Sequence, residues 1–501
     1  MSLKRNVVAN FLGQAWGAAM GLLFLPLYVR YLGIEAYGLV GLFGVLQTWL
    51  MLLDAGMSPT LGREMARFTA GARSVQSIRD LLRSLEVIAI SLACVISAGV
   101  WAAAGWLAHD WLKAERLSPD EVRDAIAVMA FVIALRFVEG IYRSALFGLQ
   151  RQVWYNLASA AVATLRNVGA LCVLVFISPT IGAFFLWQAF ASALSVAVLA
   201  AGVYRALPAA PRAASFSIEA LRGVWRFAGG MTGITLLAVL LTQVDKVLLS
   251  RLLTLEAFGY YVFAATVAGA LYLLIAPIAT ALHPHLVELV SKGDTTATAA
   301  VYHRAAQAVA VLTVPAALLM TFYGEGAVYA WSGNAELAHM VAPILAALAL
   351  GNLLNGFMNV PYQLQLANGM TAFAVKVNVV AVAVLVPAII WVVPRHGALG
   401  AACVWVALNA GYVLIGIPLM HRRLLPGEKW RWYMQDTLLP GLGACVALAL
   451  MAPFRPASLD SRLAWFAFLA LGLVMAQVGA AATVQEFRMR MSMSIRKMLS
   501  A

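Results

Sequence analysis

The chain has 501 residues, of which 63% are hydrophobic and 11% are charged, and its formal net charge is +13. A soluble domain carries about 25% charged residues because its surface must be wetted. This composition therefore excludes a soluble globular protein and predicts that lipid surrounds most of the chain. The basic excess does not indicate a nucleic-acid partner, since the basic residues lie between apolar segments and not in one cluster.

Fourteen apolar segments are long enough to cross a bilayer as helices, which takes about 20 residues for about 30 Å of hydrocarbon. The first is too long for the core of a signal peptide, about 7–15 residues, so we expect it to be retained as a span. The predicted spans are approximately 6–29, 38–58, 85–107, 125–147, 153–177, 181–203, 224–248, 258–280, 305–330, 341–363, 372–393, 398–420, 437–453 and 463–485.

The basic residues alternate between the two sides of this predicted membrane domain. With the N-terminus in the cytoplasm, 24 of the 35 Lys and Arg residues fall in cytoplasmic segments and 8 on the other side. The remaining three lie within spans. Cytoplasmic loops carry an excess of Lys and Arg, so the pattern predicts a multi-pass protein of the bacterial inner (cytoplasmic) membrane with both termini cytoplasmic.

An internal repeat divides the chain. Residues 30–38, RYLGIEAYG, match residues 251–259, RLLTLEAFG, at an offset of 221 residues. Because each copy holds an even number of spans, the repeat is parallel, with an axis along the membrane normal. The predicted fold is an all-α polytopic membrane protein of about 14 transmembrane helices, with two six-helix lobes in parallel repeat plus two C-terminal helices. The predicted parts are the lobes 1–203 and 224–420, a cytoplasmic linker 204–223, two extra helices in 437–485 and a basic cytoplasmic tail 486–501.

Several short motifs resemble one known family. They are NFLGQAW (10–16), YLGIEAYGL (31–39), LDAGMSPT (53–60), RFAGG (226–230) and TQVDK (242–246). The sequence is similar to the Wzx-type polysaccharide and O-antigen flippases of the multidrug/oligosaccharidyl-lipid/polysaccharide exporter superfamily. The resemblance implies two helical lobes around a central cavity. It also implies the transfer of an undecaprenyl-pyrophosphate-linked oligosaccharide, an O-antigen or exopolysaccharide repeat unit, across the inner membrane by alternating access.

Cations within spans are the first candidates for handling a pyrophosphate. A charged side chain at mid-helix costs roughly 2.5–3.5 kcal/mol on insertion scales, so such residues are rare and are often functional. We expect Arg136, Arg166 and Lys246 to bind the anionic part of the substrate in the cavity, with Glu139 orienting the arginines. The structural alternative is that these charges only pair with acids between helices.

Two of these positions carry a further expectation about pairing. Arg166 has no acid within one helical turn, so it either pairs with an acid on another helix or faces water. Asp245 and Lys246 are neighbours on a helix and point about 100° apart. We therefore expect that they do not pair well with each other.

Polar residues in other spans have two readings each. Asn352, Asn355 and Asn359 share one helical face and could line the cavity for sugar hydroxyls, or join helices at about 0.6 kcal/mol each. Asp54, and also Asp245, could couple transport to H⁺ or Na⁺ or act in a gate. For Asp54, capping of a helix end or pairing with Arg63 is the structural alternative.

The sequence contains no motif that indicates catalysis. There is no GxxxxGK[ST], HExxH or GxSxG motif and no Cys/His spacing typical of a metal site. We therefore predict a transporter that is not an enzyme, with no catalytic residue, metal or cofactor. Two alternatives stay open: a multidrug exporter of the same superfamily, and an integral-membrane glycosyltransferase or ligase that would use the acidic loop 108–124.

Overall fold

The computed structural model describes residues 3–54, 56–222, 239–240 and 242–484. Within these ranges every regular element is helical, which confirms the all-α prediction. Twelve helical segments there are long and apolar enough to cross a membrane, so the chain is a multi-pass membrane protein. The longest of them, 375–424, contains two predicted spans separated at Gly397, whose φ is 59°. Most of the predicted seventh span and the whole C-terminal tail lie outside the described residues.

The chain forms two compact units, and the first comprises residues 1–259. Its long helices are the predicted first six spans, joined by short helical turns. In chain order the helices are α1 (Leu3–Leu32), α2 (Ile34–Leu50), α3 (Met57–Thr69), α4 (Val75–Trp106), α5 (Pro119–Gly148), α6 (Gln152–Phe176), α7 (Ile181–Ala206), α8 (Ile218–Arg222) and α9 (242–252).

The second unit comprises residues 260–501, and α10 begins just before it. Its helices are α10 (Leu255–Gly269), α11 (Leu271–Ser291), α12 (Thr295–Ser332), α13 (Ala335–Phe357), α14 (Asn359–Ala367), α15 (Thr371–Gly411), α16 (Ile417–Leu424), α17 (Lys429–Arg431), α18 (Leu439–Met451) and α19 (Arg462–Thr483). The two C-terminal helices α18 and α19 pack on α12 in one apolar cluster that includes Val314, Leu448 and Phe468.

The start of α5 is fixed by local chemistry. Ser118 and Glu121 form a reciprocal capping box, and Pro119 occupies the first turn. The cap satisfies backbone donors that have no partner within the helix. From this start α5 runs through the middle of the first unit and packs against α3, α4 and α7. The helix that carries Arg136 and Glu139 is thus anchored at its end and surrounded by neighbours.

Side-chain amides join α6 to α1. Asn10 Nδ2 donates to Gln152 Oε1 at 2.8 Å, and Asn156 Nδ2 donates to Asn10 Oδ1 at 2.7 Å. Farther along the same pair of helices, Tyr28 Oη donates to Asn167 Oδ1 at 2.9 Å. Hydrogen bonds of this kind between helices hold α6, which carries Arg166, in register against α1.

The two copies of the repeated loop meet in the first unit and contact each other reciprocally. A Cβ at Gly38 would lie 2.5 Å from the carbonyl oxygen of Leu255, and a Cβ at Gly259 would lie 2.3 Å from that of Ile34. At the repeat offset of 221 residues, Ile34 corresponds to Leu255 and Gly38 corresponds to Gly259. The two contacts are therefore equivalent, because each glycine meets the carbonyl oxygen that lies four residues before the glycine of the other copy. We call this pair of contacts the loop clasp. Only glycine permits so close an approach of two backbones.

A third segment, 111–117, covers the loop clasp. The carboxylate of Glu35, which is 4% exposed, accepts from the backbone N–H groups of residues 115, 116 and 117 at 2.5, 2.9 and 3.2 Å. The Leu255 N–H donates to the Lys113 carbonyl at 2.8 Å. Segments that follow the first, third and seventh predicted spans therefore meet at one end of the unit. An even number of predicted spans separates these segments, so all three are expected on the same side of the membrane.

Candidate functional site

Arg136 is held inside the first unit by neutral groups from two other helices. One guanidinium nitrogen donates to Gln47 Oε1 on α2 at 2.8 Å and the other to Gln188 Oε1 on α7 at 3.1 Å. Its Cζ lies 4.7 Å from the centroid of the Phe43 ring, a cation–π contact. The buried Nε has no hydrogen-bond partner. These contacts orient the cation but leave its charge without a directly bound carboxylate.

Arg166 on α6 pairs across helices with Glu139 on α5. The Nη2 to Oε2 distance is 3.7 Å, and the two side chains are 20% and 22% exposed. The sequence left two alternatives for Arg166, an acid on another helix or contact with water, and Glu139 is such an acid. The distance is too long for a hydrogen bond, and in the described part of the chain the buried Nε and Nη2 of Arg166 have no hydrogen-bond partner. Glu139 thus offsets the arginine charge without satisfying its donors.

Together these side chains form a cationic cluster, which we define as Arg136, Glu139 and Arg166. Two guanidinium groups and one carboxylate carry a formal net charge of +1. Among the described residues, three of the buried guanidinium nitrogen atoms have no acceptor, an unfavourable state for a folded protein. An anion with several oxygens would satisfy those donors, and arginine binds phosphate oxygens in a bidentate manner. The cluster is chemically suited to a phosphate group.

The third predicted cation, Lys246, has a separate arrangement on α9. Its Nζ lies 3.7 Å from Asp245 Oδ1 and donates to the Thr242 carbonyl at 3.1 Å. The 3.7 Å separation is too long for a hydrogen bond, so the expectation that Asp245 and Lys246 do not pair well with each other stays a prediction. The 100° separation applies to the bonds leaving the helix, whereas the four-carbon stem of lysine lets the ammonium reach back toward its neighbour. The structure therefore gives Lys246 a carboxylate close by.

Asp54 caps the helix that follows it. Both its carboxylate oxygens accept from the Ser58 N–H at 3.2 Å, and the Ser58 hydroxyl donates to Oδ1 at 2.7 Å. These bonds satisfy donors at the start of α3. The contacts match the capping alternative for Asp54. Gln47, which lies two helical turns before Asp54, points its amide at Arg136 instead.

The asparagine stripe of the second unit joins three helices. Tyr272 Oη on α11 donates to Asn352 Oδ1 at 3.2 Å and to Asn355 Oδ1 at 3.1 Å. From α15, Trp405 Nε1 donates to Asn352 Oδ1 at 2.9 Å, and Asn409 Oδ1 accepts from Asn355 Nδ2 at 2.8 Å.

These contacts match the helix-joining alternative for Asn352 and Asn355. The third member of the stripe, Asn359, begins α14, and its buried Oδ1 has no hydrogen-bond partner. Of the three amides, Asn359 is therefore the one with an acceptor free for a sugar hydroxyl.

Two functional contacts of Arg136 were not predicted from the sequence. Gln47 and Gln188 each lie in an otherwise apolar span, and Gln188 is 5% exposed. A search restricted to ionisable residues passes over them. Uncharged amides in apolar spans were the available signal, because a buried amide also needs a hydrogen-bond partner.

The helical architecture defines a polytopic membrane protein. Its fold is similar to that of a structure titled "Lipid II flippase MurJ, inward closed conformation", with a TM-score of 0.70, 13% identity and coverage of 95% of this chain and 98% of that one. It is also similar to an inward-facing multidrug resistance MATE family transporter of the MOP superfamily, with a TM-score of 0.66, 15% identity and coverage of 81% and 94%.

The sequence comparisons identify the family. The profile of the family described as "Polysaccharide biosynthesis protein" matches residues 3–290. The Shigella flexneri protein named "Putative O-antigen transporter" is 20% identical over 413 residues, which is 81% of this chain and 94% of that protein. The chain belongs to the polysaccharide biosynthesis protein family, and the resemblance drawn from the short motifs is confirmed.

Proposed function

We propose that this protein is a flippase that moves an undecaprenyl-pyrophosphate-linked oligosaccharide, an O-antigen or exopolysaccharide repeat unit, across the bacterial inner membrane by alternating access. The observation that carries the proposal is the cationic cluster of the first unit. A pyrophosphate that leaves water needs donors and positive charge already in place. Arg136 and Arg166 supply both, and three of their buried nitrogen atoms have no acceptor among the residues that the structure describes.

The family and the fold support the same substrate class. The family is described by polysaccharide biosynthesis, one relative is named as an O-antigen transporter, and one structure with this fold is titled a lipid II flippase. Transport of a polyprenyl-linked glycan accounts for all three descriptions. A transport role also agrees with the absence of catalytic motifs from the sequence, so we propose that the protein is not an enzyme.

We also propose a topology for the chain and roles for further residues. Both termini lie in the cytoplasm, and the lobes 1–203 and 224–420 are the two repeated parts of the transporter. Lys246 assists the two arginines, and Asn359 offers its free carbonyl to the glycan. We also propose that Asp54 or Asp245 couples transport to H⁺ or Na⁺.

A cell lacking this protein tests the proposal. We expect the deletion strain to lose its surface glycan and to retain the lipid-linked oligosaccharide in the cytoplasmic leaflet, because assembly of the glycan continues while its transfer stops. The measurement is the amount of lipid-linked oligosaccharide and of surface polymer, with and without the gene supplied in trans. Normal surface glycan in the deletion strain would refute the flippase proposal. Loss of resistance to organic cations instead would favour a multidrug exporter.

A further inference from the structure

A buried histidine in the second unit is bound by a carboxylate at each of its ring nitrogens. His303 on α12 is 2% exposed. Its Nδ1 lies within hydrogen-bond distance of the Asp436 carboxylate, and its Nε2 lies 3.0 Å from Glu428 Oε2. Asp436 is fully buried and also accepts from Gln307 Nε2 at 2.8 Å. The proposed transport of an anionic lipid makes no use of these residues.

The two bridges to His303 require two protons. A neutral imidazole has one N–H donor and one nitrogen that only accepts, and ionised carboxylates only accept. Each nitrogen-to-oxygen bridge therefore needs a proton of its own. One is always present on the ring, and the second is held either by the ring or by a carboxyl group. If the second proton leaves, a nitrogen lone pair of the ring faces a carboxylate oxygen and the two repel each other.

Of the groups near Glu428, Arg431 pairs with Glu428 itself, whereas Lys429 and Tyr433 have other partners. Arg431 lies 3.7 Å from Glu428 Oε2 with its side chain 48% exposed. The Lys429 ammonium lies 4.6 Å from the centroid of the Trp430 ring, and Tyr433 Oη donates to a backbone carbonyl of residue 413 at 2.5 Å. These groups reach the cluster from the α17 side and leave both ring nitrogens of the histidine to the carboxylates.

The titratable groups on the other helices packed against α12 are likewise engaged. On α16, His421 Nδ1 lies 3.0 Å from the Ile417 carbonyl and must donate to it, so its Nε2 accepts from Tyr302 Oη at 3.2 Å. On α11, Glu288 pairs with Lys292 and with His285. The second proton is therefore shared among His303 and its two carboxylates.

The buried carboxylate lies in an unusual stretch of backbone. Asp436 belongs to a π-helical turn, Trp432–Leu438, that leads directly into α18. Such turns are rare and frequently occur at functional sites. The turn places Asp436 against α12 at the beginning of the span Lys429–Phe454. The contact with His303 thus joins the first of the two C-terminal helices to the rest of the second unit.

We propose that His303, Glu428 and Asp436 form a proton-binding site, the proton latch, that fastens the start of α18 to α12 when it holds two protons and releases it when one is lost. Protons exchange through Glu428, whose side chain is 30% exposed, whereas those of His303 and Asp436 are 2% and 0% exposed. In one transfer the O–H bond of a protonated Glu428 breaks as Nε2–H forms, and Nδ1–H breaks as an O–H bond forms on Asp436. The reverse transfer returns the proton to Glu428, from which it leaves the site.

A buried cysteine reports on the latch without reference to transport. Ala306 lies one turn from His303, is 5% exposed and belongs to an apolar cluster with residues of α11, α14 and α16 and with Trp432 of the π-helical turn. The reporter is Ala306→Cys after replacement of the native cysteines Cys94, Cys172, Cys403 and Cys445 by alanine. Its rate of reaction with a water-soluble maleimide is measured in the purified full chain over a range of pH.

The comparison variant is Asp436→Asn in the same background. The new amide donates to Nδ1 of a neutral ring, so both bridges form with a single ring proton and the latch stays closed. Because thiol reactivity itself changes with pH, the quantity to compare is the labelling rate of the protein that retains Asp436 divided by that of the Asp436→Asn variant. We expect a ratio near unity in mildly acidic buffer that rises with pH, by up to about tenfold per pH unit for one proton.

A matched control uses the exposed pair of His339 and Glu325, whose atoms lie 3.2 Å apart. The variant His339→Gln should leave the ratio unchanged, since this pair is in contact with solvent. A ratio that stays at unity over the whole pH range would overturn the proton latch. The labelling experiment measures no transport, so the proton latch and the proposed function can each fail without the other.

Discussion

Replacing Arg136 by glutamine is expected to abolish most glycan export while leaving the protein folded and at normal abundance. Glutamine keeps much of the length and the hydrogen-bonding capacity but removes the charge. A hydrogen bond to a charged group contributes about 1.5–3 kcal/mol, so transfer should slow by about ten- to hundredfold. Because the variant also removes a desolvated charge, its thermal stability in detergent should be unchanged or higher. Export in a deletion strain and the melting temperature are the two measurements.

The same helix offers a control for this variant. Arg123 on α5 is 47% exposed and pairs with Asp120 at 3.0 Å and Asp124 at 2.9 Å. Exposed ion pairs contribute little, so Arg123→Gln should leave export intact. Full export by the Arg136→Gln variant at normal abundance would contradict a role for this residue in handling the anion.

A purely structural role of Arg166 predicts a different pattern. If Arg166 only neutralises Glu139, then Arg166→Gln leaves a buried carboxylate unpaired and the protein should fall in abundance. A second change, Glu139→Gln, should then restore both abundance and export. If the cluster binds the pyrophosphate, the double variant accumulates normally and still fails to export.

Adding a single methyl group to the loop clasp is expected to lower stability sharply. In Gly259→Ala the new Cβ would lie 2.3 Å from the Ile34 carbonyl oxygen, which belongs to the backbone and cannot rotate away. Overpacking of this kind typically costs about 1–3 kcal/mol. The reciprocal variant Gly38→Ala meets the Leu255 carbonyl oxygen at 2.5 Å and should behave alike. Thermal unfolding of the purified variants measures the effect.

Gly44, on the same helix as Gly38, gives a control of opposite sign. A Cβ there would meet nothing within 4 Å. Alanine is the better helix former by about 1 kcal/mol, so Gly44→Ala should match or exceed the original stability. Equal melting temperatures for the Gly38, Gly259 and Gly44 variants would show that the two loops do not hold each other at these contacts.

The helices and the repeat were accessible from the sequence because they depend on apolar length and on recurring residues. Thirteen of the fourteen predicted spans correspond to helices in the described ranges. The recurrence of Gly38 at Gly259 indicated a shared loop, and the reciprocal contact explains why both positions need glycine. Backbone approach at a repeated glycine follows from the absence of a Cβ, so this part of the structure has a local cause.

The partners of the charged residues were less accessible, because they come from other helices. Arg136 is bound by amides 89 and 52 residues away, and the bridge between His303 and Asp436 spans 133 residues. The π-helical turn that places Asp436 has no sequence signal of its own. The approach of Lys246 to within 3.7 Å of Asp245 does not follow from the direction of the Cβ bonds, because a long, flexible side chain can reach back toward its neighbour.

Translocation in reconstituted liposomes tests whether this protein transfers a lipid-linked glycan between leaflets and whether Arg136 takes part. The purified protein is inserted into vesicles that carry a fluorescent polyprenyl-pyrophosphate oligosaccharide, and a membrane-impermeant quencher reports how much remains in the inner leaflet. We expect the fluorophore to become accessible to the quencher with the original protein and with Arg123→Gln. With Arg136→Gln it should become accessible about ten- to hundredfold more slowly. Accessibility no faster than in protein-free vesicles, or equal rates for all three proteins, would contradict these expectations.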